Sequence, residues 1–402
     1  NWLIPIKWNG STWVDTTKND PNWYDYDNKQ WANARTQDGS MWVWIPRYVY
    51  KISSEWHSLT TGTVDIQFSM VTDDTIGGTV TLDTGTTSDA SNNKWTNHPA
   101  FKFGSTELTG IWVAKFEPTA VEGVANVYYG GTSCLSALDD VNTKTIKVIP
   151  NAISWRCITP QNAFTTIRKM EANNVYGWDI ASTLQADGTY ATDTNSVDTH
   201  LMKNIEWGAV SYLSKSIYGK DTVEVWKNNS ENYTTGCSGN SQEEAPYNGC
   251  QNTYESTNGV KASTTGTIYG IYDMNGNGFD MVSAYINNGD SNLNTYGLSI
   301  INANVKYKDI YSEGATDSQT NNYALTINKK GDVLWETSSG GTTLDFGWFL
   351  DYTNMPSTNE PWFLRGGSSL NAYNGLFSFG CDNGFLKNYI GFRPVLLVEE
   401  GL

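Results

Sequence analysis

The sequence predicts an α+β fold, with a small mixed core that has two helices and long irregular loops. Only 17% of the 402 residues are charged, fewer than long amphipathic helices usually contain. The chain holds 23 Tyr and 17 Trp among abundant Asn, Thr, Ser and Gly, which is typical of short strands joined by polar loops. Only two segments have the apolar spacing of a helix, so helices are expected to be the minor component.

Composition also excludes several classes of function. The net charge is −16 with only 26 Lys and Arg, whereas binding to a nucleic-acid backbone needs clustered cations. No run of eighteen apolar residues occurs, so no membrane insertion is expected. The sequence lacks a phosphate-binding Gly-x-x-x-x-Gly-Lys motif and a Gly-x-Ser-x-Gly nucleophile motif, and its three histidines lack metal-ligand spacing. We therefore expect a binding protein rather than an enzyme.

Strand patterns divide the chain into an N-terminal extension and one main domain. Residues 1–40 are polar and rich in turns, and they are predicted to form an extension ahead of a domain at 41–402. Alternating apolar residues predict a strand pair at 41–52 and a strand at 110–117. Two polar stretches are predicted to be insertions, about 53–97 and 218–262.

Two helices are predicted from capping residues and apolar stripes. The first has Thr159 as its N-cap and Pro160 at its first position, where a missing N–H costs nothing. The second is predicted to begin near Asp198. The apolar positions are Ala163, Phe164, Ile167 and Met170 in the first helix, and Met202, Ile205, Ala209, Val210, Leu213 and Ile217 in the second. Both stripes are interpreted as faces of the core.

The five cysteines leave the redox state open. Cys237 and Cys250 flank a stretch rich in Gly, Ser and Asn, where a disulfide would stabilise the loop by about 3 kcal/mol. We predict that disulfide, with two unrelated thiols as the alternative. Cys134 and Cys157 are a weaker candidate pair, which would leave Cys381 over.

The last forty residues combine framework features with an irregular surface segment at 368–390. Arg365 and Arg393 are predicted to be buried and to donate hydrogen bonds to loop carbonyls. Phe377 and Phe379 are predicted to be core residues, with the positions that alternate with them pointing outward. Aromatic residues among small polar ones favour a contact surface. The candidate ligand-binding residues are Ser368, Ser369, Leu370, Asn371, Tyr373, Asn374, Ser378, Cys381, Asp382, Asn383, Phe385, Leu386, Asn388 and Tyr389.

Six short motifs occur in an order that resembles the formylglycine-generating-enzyme/sulfatase-modifying family. They are Trp44-Ile45-Pro46, Trp112-Val113-Ala114-Lys115-Phe116-Glu117, Asn204-Ile205-Glu206-Trp207, Gly270-Ile271-Tyr272-Asp273-Met274-Asn275-Gly276-Asn277, Arg365-Gly366-Gly367-Ser368 and Ile390-Gly391-Phe392-Arg393. The resemblance covers roughly residues 41–399 and implies a C-type-lectin-like fold. Enzymes of that family bind copper through a Cys pair shortly after the Arg-Gly-Gly turn. Residues 368–376 contain no Cys, and Cys381 alone cannot supply two thiolates, so we expect that chemistry to be absent.

The last forty residues, called the tail below, are more closely similar to the C-terminal segment of variable proteins diversified by retroelements in phages and bacteria. Those proteins have the same lectin-like fold and end in a segment of the form Arg-Gly-Gly, Gly-Leu/Val-Phe, Gly-Phe-Arg. Their diversified codons cannot yield Lys, Met, Trp, Gln or Glu. From the overall composition, about four residues of these five types are expected among positions 368–390. Only one, Lys387, is present.

A structural calcium ion is the one cofactor that the resemblance implies. Asn277 and Asp280 occupy positions where the family sometimes holds calcium, and a plain turn is the alternative. The turn that begins at Asp273 is not a calcium loop of the helix-loop-helix type, because its twelfth position would be Ala284 rather than Glu.

The resemblance predicts a receptor-binding protein that displays residues 368–390 to a cell-surface protein or glycan. Such a protein would be extracellular, on a phage tail or as an adhesin on a bacterial surface. A homotrimer or a larger tail or filament assembly would strengthen weak contacts through avidity. The alternatives are a sulfatase-modifying-type enzyme with altered chemistry and a structural tail or filament subunit.

Overall fold

The computed structural model describes residues 2–70, 93–121, 134, 144–178, 182–192 and 197–398. Strands predominate over helices in these ranges. The strands are β1 (Ile4–Trp8), β2 (Trp13–Asp15), β3 (Asn33–Arg35), β4 (Met41–Pro46), β5 (Tyr48–Ser54), β6 (Thr63–Phe68), β7 (Thr96–Asn97), β8 (Lys102–Phe103), β9 (Thr106–Glu107), β10 (Gly110–Ala114), β11 (Thr119–Val121), β12 (Thr145–Lys147), β13 (Val197–Leu201), β14 (Phe279–Asn287), β15 (Asp309–Ser312), β16 (Asp345–Phe346), β17 (Tyr352–Thr353), β18 (Trp362–Arg365), β19 (Phe379–Asp382), β20 (Ile390–Phe392) and β21 (Pro394–Val398). The α-helices are α1 (Pro160–Arg168), α2 (Asn204–Lys215), α3 (Ser291–Asn302) and α4 (Gln319–Ala324).

Two seven-stranded sheets organise the described residues. The first has the order β13-β21-β10-β4-β3-β1-β2, and its neighbours are antiparallel. The second has the order β15-β14-β18-β19-β17-β16, and β20 also pairs with β14. Smaller sheets include β6-β5-β7. The predicted α+β class is confirmed, whereas the C-type-lectin-like architecture stays a prediction.

Residues 4–35 belong to the first sheet and do not form a separate strap. Strand β3 pairs with β4, with Ala34 opposite Trp42, and β1 and β2 extend the sheet beyond β3. Trp23 and Trp31 are buried, so this segment has apolar anchors despite its polar composition. The predicted boundary at residue 40 therefore falls within the turn between two paired strands. Much of the predicted insertion at 53–97 lies outside the described residues.

The first predicted helix is confirmed and the second begins later than predicted. Helix α1 starts at Pro160, directly after Thr159. Asp198 lies in strand β13, and α2 starts at Asn204. Its start is fixed by Glu206, whose Oε2 accepts a hydrogen bond of 2.8 Å from the backbone N–H of Lys203. Leu201 and Met202 before α2 are buried like Ala209, Val210 and Leu213 inside it, so apolar spacing alone does not mark the strand-to-helix boundary. Ile217, predicted to belong to the apolar stripe, lies beyond the helix and is 66% exposed.

Helices α3 and α4 lie outside the two segments for which the sequence predicted helices. Helix α3 is capped by Asp290 and buries Leu293 and Ile300. Its backbone departs from helical angles at Gly297, where a Cβ atom would lie 1.9 Å from the ring of Trp362. The stretch is rich in Asn, Ser and Thr, which are poor helix formers, so tertiary packing rather than propensity stabilises these helices.

Two disulfides join described cysteines. Cys237 is bonded to Cys250, the pair predicted from the sequence, and Cys134 is bonded to Cys157. Cys381 is a free thiol.

Candidate ligand-binding site

The C-terminal segment runs through three strands of the second sheet, β18, β19 and β20, and through the two loops between them. Strand β18 pairs antiparallel with β19, with Leu364 opposite Gly380. We call residues 366–378, between these strands, loop 1. We call residues 383–389, between β19 and β20, loop 2. Loop 1 leads into strand β19 and loop 2 leaves it, so this one strand connects the two loops.

Two buried arginines support this part of the fold, as the sequence predicted. Arg365 Nη1 donates to the backbone oxygen of Asp332 at 3.0 Å. Arg393 Nη1 donates to the backbone oxygen of Ala114 at 3.0 Å, and its Nε donates to Asp280 at 3.3 Å. Both guanidinium groups are fully buried. They connect the tail to distant parts of the chain and are not available for ligand contact.

The candidate residues differ in exposure. Those with exposed side chains are Leu370, Asn371, Tyr373 and Phe385. Those with partly exposed side chains are Cys381, Asn383, Leu386, Asn388 and Tyr389. These nine residues can be reached from solvent, and the most exposed of them lie at the tips of loops 1 and 2.

Five of the predicted ligand-binding residues are buried, so their side chains do not lie on the exposed surface of the segment. They are Ser368, Ser369, Asn374, Ser378 and Asp382. Polar atoms of this group bond to the loops themselves: Ser378 Oγ donates to Asn374 Oδ1 at 3.0 Å, and Asp382 Oδ1 accepts from the N–H of Gly384 at 2.7 Å. Phe377 and Phe379 are core residues as predicted, but Ser378 between them is buried as well, because the chain turns rather than continuing as a strand.

Loop 1 is held mainly through its backbone by residues outside it. Three backbone oxygens of the loop accept hydrogen bonds from outside it: that of Asn371 from Lys227 Nζ, that of Tyr373 from the N–H of Tyr352 (2.8 Å), and that of Leu376 from Trp207 Nε1 (2.8 Å). In the other direction, the N–H of Ser369 donates to the backbone oxygen of Asn277 (2.7 Å). Tyr373 has a φ of 58°, in the left-handed region that non-glycine residues seldom adopt. The framework therefore sets the path of the loop.

Loop 2 is held in a similar way. The N–H of Phe279 donates to the backbone oxygen of Tyr389 at 2.9 Å, and the N–H of Cys157 donates to that of Lys387 at 3.1 Å. The side chain of Phe385 is 52% exposed and contacts the ring of Tyr296 edge-on. In both loops the backbone carries most of the bonds to the framework.

A surface depression of about 710 Å³ lies between the two loops. The candidate residues that line it are Ser368, Leu370, Asn371, Asn374, Ser378, Cys381, Asp382 and Tyr389. The candidates that do not line it are Ser369, Tyr373, Asn383, Phe385, Leu386 and Asn388. The structure thus brings more than half of the predicted residues to one concave surface.

One wall of the depression comes from a segment that the sequence did not indicate. Residues 343–360 contribute Leu344, Tyr352, Asn354 and Glu360. The segment reaches the tail because Thr353 of β17 pairs with Phe379 of β19. Such long-range pairing leaves no local pattern in the sequence, so only the three-dimensional structure places this wall beside the tail.

Titratable groups in the depression are held in defined states. Burial raises the pKa of the Cys381 thiol, and Glu360, whose Oε2 lies 3.2 Å from Sγ, raises it further. This thiol is therefore protonated at neutral pH and is a poor nucleophile. Burial also raises the pKa of Asp382, and its ion pair with Lys387 partly offsets that effect.

The predicted calcium ligands lie beneath loop 1. Asn277 and Asp280 are buried, and Oδ1 of each has no hydrogen-bond partner among the described residues. Carboxylate and amide oxygens are ligands of the kind that calcium prefers. However, Asp280 already pairs with Arg393, and no group of three or more His, Cys, Asp or Glu side chains in the described ranges is arranged to hold a metal. Calcium at this position stays a prediction.

Comparisons with known proteins supply no family. No protein-family model matches the chain, and no curated protein matches it. Within the part of the chain that the structure describes, no helix is both long and apolar enough to cross a bilayer.

Proposed function

We propose that this chain is a non-enzymatic ligand-binding protein with a C-type-lectin-like fold that displays residues 368–390 to a receptor. The supporting observation is the way loop 1 is built. Lys227, Trp207 and other framework groups bind its backbone, while the side chains of Leu370, Asn371 and Tyr373 are exposed. Since the bonds from the framework run to the loop's backbone, exchange of these exposed side chains should leave most of the bonds that set its path in place.

The proposed setting is extracellular, on a phage tail or a bacterial surface. The receptor is a cell-surface protein or glycan, and assembly into a trimer or a larger array raises avidity. The two disulfides support an oxidising environment, since such bonds rarely persist in the cytosol.

The binding test uses a variant in which three exposed side chains are replaced together: Leu370→Ser, Asn371→Ala and Tyr373→Ser. Labelled protein is measured for binding to a panel of bacterial strains by flow cytometry. We expect a thermal unfolding midpoint close to that of the wild type and at least a tenfold loss of cell binding. The control is Leu325→Ala, which removes a side chain that is 48% exposed outside the depression.

Three other results would count against the proposal. Unchanged binding of the triple variant would show that loop 1 is not the contact surface. Failure of the variant to fold would show that these side chains support the core. Loss of self-assembly, measured by sedimentation, would favour a structural subunit whose tail lies in a subunit interface.

Diversification has its own test at the level of the gene. The locus is sequenced downstream of the coding region, where we expect a near-identical repeat of the segment encoding residues 366–393. The repeat should differ from the coding segment only at adenines and lie beside a reverse-transcriptase gene. A locus without such a repeat would leave a fixed binding surface.

A further inference from the structure

The wall formed by residues 343–360 presents an apolar side chain with few neighbours. Leu344 is 84% exposed, more than any other large hydrophobic side chain in the described residues. It lines the depression together with Leu370, which is 54% exposed. A single exposed leucine is ordinary, but two on the rim of one concave surface mark a place where apolar contact can form.

The charges in the depression are unequal. It is lined by two carboxylates, Glu360 and Asp382, and one ammonium group, Lys387. Lys387 is engaged with Asp382. Glu360 is exposed, its Oε2 lies 3.2 Å from the neutral thiol of Cys381, and its charge also raises the pKa of Lys387. Two carboxylates nevertheless face one ammonium group, so the depression can attract a further positive group, and the net charge of −16 adds a field of the same sign.

The aromatic side chains of the wall pack against one another, and Tyr352 is 36% exposed. Phe346 stacks on Tyr352 with ring centroids 4.9 Å apart and an angle of 26° between the planes. Tyr373 meets the same ring edge-on at 6.0 Å. Sugars are usually held by stacking on an open aromatic face, whereas an exposed leucine gains most from another apolar side chain. The two leucines are more exposed than these rings and therefore favour a polypeptide segment over a glycan.

We infer that the depression is a composite site, made by the tail and residues 343–360, that receives a protein segment with a large apolar side chain next to a lysine or arginine. The apolar side chain lies between Leu344 and Leu370, and the cation pairs with Glu360. This inference rests on the proposed binding function and names the class of partner for the same surface. It also assigns part of the specificity to residues outside the tail.

The test is a selection of displayed random peptides on the immobilised full chain, followed by affinity measurements of the selected peptides. We expect enrichment of sequences that pair Lys or Arg with Leu, Ile, Phe or Trp. Glu360→Gln and Leu344→Ala should each weaken binding about tenfold. The controls Glu313→Gln and Leu325→Ala change exposed side chains of the same types outside the depression and should leave affinity unchanged.

The remaining outcomes separate this inference from the proposed function. Peptides that lose affinity with Leu370→Ala but not with Glu360→Gln or Leu344→Ala would overturn the composite site and leave binding by the tail intact. Peptides that are insensitive to all three changes would overturn both. Absence of enriched peptides, or selection of acidic ones, would overturn the inference. In both of these last outcomes, the proposed function would still be supported if the wild-type protein bound a glycan array and Leu370→Ala abolished that binding.

Discussion

Single residues fix the backbone geometry behind the candidate site, and Gly297 is the clearest case. A Cβ at this position would lie 1.9 Å from the Trp362 ring, which belongs to strand β18 directly before loop 1. We expect Gly297→Ala to lower the free energy of unfolding by about 1–3 kcal/mol, because the helix and the strand cannot both keep their positions. Urea unfolding followed by tryptophan fluorescence measures the change.

The matched control for this change is Gly380→Ala. An added Cβ there would meet only the Cβ of Leu364 at 3.7 Å, an ordinary contact. Equal stability of the two variants would mean that α3 moves freely against the second sheet.

Among the structural elements, loop 1 depends on one lysine from the predicted insertion at 218–262. Lys227 is buried, and its ammonium group donates to the backbone oxygen of Asn371. We expect Lys227→Met to keep the apolar stem in place and to free the tip of the loop, so that limited proteolysis cuts within 368–376 several-fold faster. Mass spectrometry of the early fragments locates the cuts.

Lys220→Met is the control for this experiment. Lys220 also donates to a backbone oxygen, but to that of Lys261 rather than to one in loop 1, and burial lowers its pKa to about 8. Equal acceleration by both variants would contradict a specific role of Lys227 in holding the loop.

The disulfide in the same insertion gives a third prediction. Replacing both partners, Cys237→Ser with Cys250→Ser, should lower the free energy of unfolding by about 3 kcal/mol, because the unfolded chain regains the freedom of the closed loop. Thermal unfolding of the oxidised protein measures the change. Cys381→Ser removes the free thiol and should have little effect; a larger effect than that of the double variant would contradict this account.

Elements with local signals were predictable from the sequence, and those that depend on distant contacts were not. The cap at Thr159, the cysteines around a flexible loop and the two framework arginines each carry their signal within a few residues. Helix α3 and the wall at 343–360 exist because remote segments pack or pair with them, so their own sequences resemble loops. The burial of Ser369 and Ser378 follows from the path of loop 1, which the bonds of Lys227 and Trp207 set.

At the scale of the whole molecule, buried acidic groups should set the dependence of stability on pH. Glu336 is fully buried and accepts hydrogen bonds from Tyr50, Tyr212 and the N–H of Gly331. Burial raises its pKa from 4.5 to about 7, and burial raises that of Asp351 from 3.8 to about 7. Glu206 behaves in the opposite way, since Lys203 and His200 outweigh its burial and lower its pKa to about 2.

The sign of each effect follows from proton linkage. Where a carboxyl pKa is raised on folding, the folded state binds more protons, so stability is lost as pH rises from about 4 through 7. Where it is lowered, as for Glu206, stability is lost as pH falls from 4.5 toward 2. We therefore expect the midpoint temperature of thermal unfolding to be highest near pH 4–5 and to fall by several degrees up to pH 7.5. Glu336→Gln should reduce this dependence on pH, and the exposed Glu313→Gln should leave it unchanged. A midpoint that rises steadily from pH 5 to 7.5 would show that these carboxyl groups are ionised in the folded protein at no cost, and that the core around Tyr50 and Tyr212 is more polar than its contacts indicate.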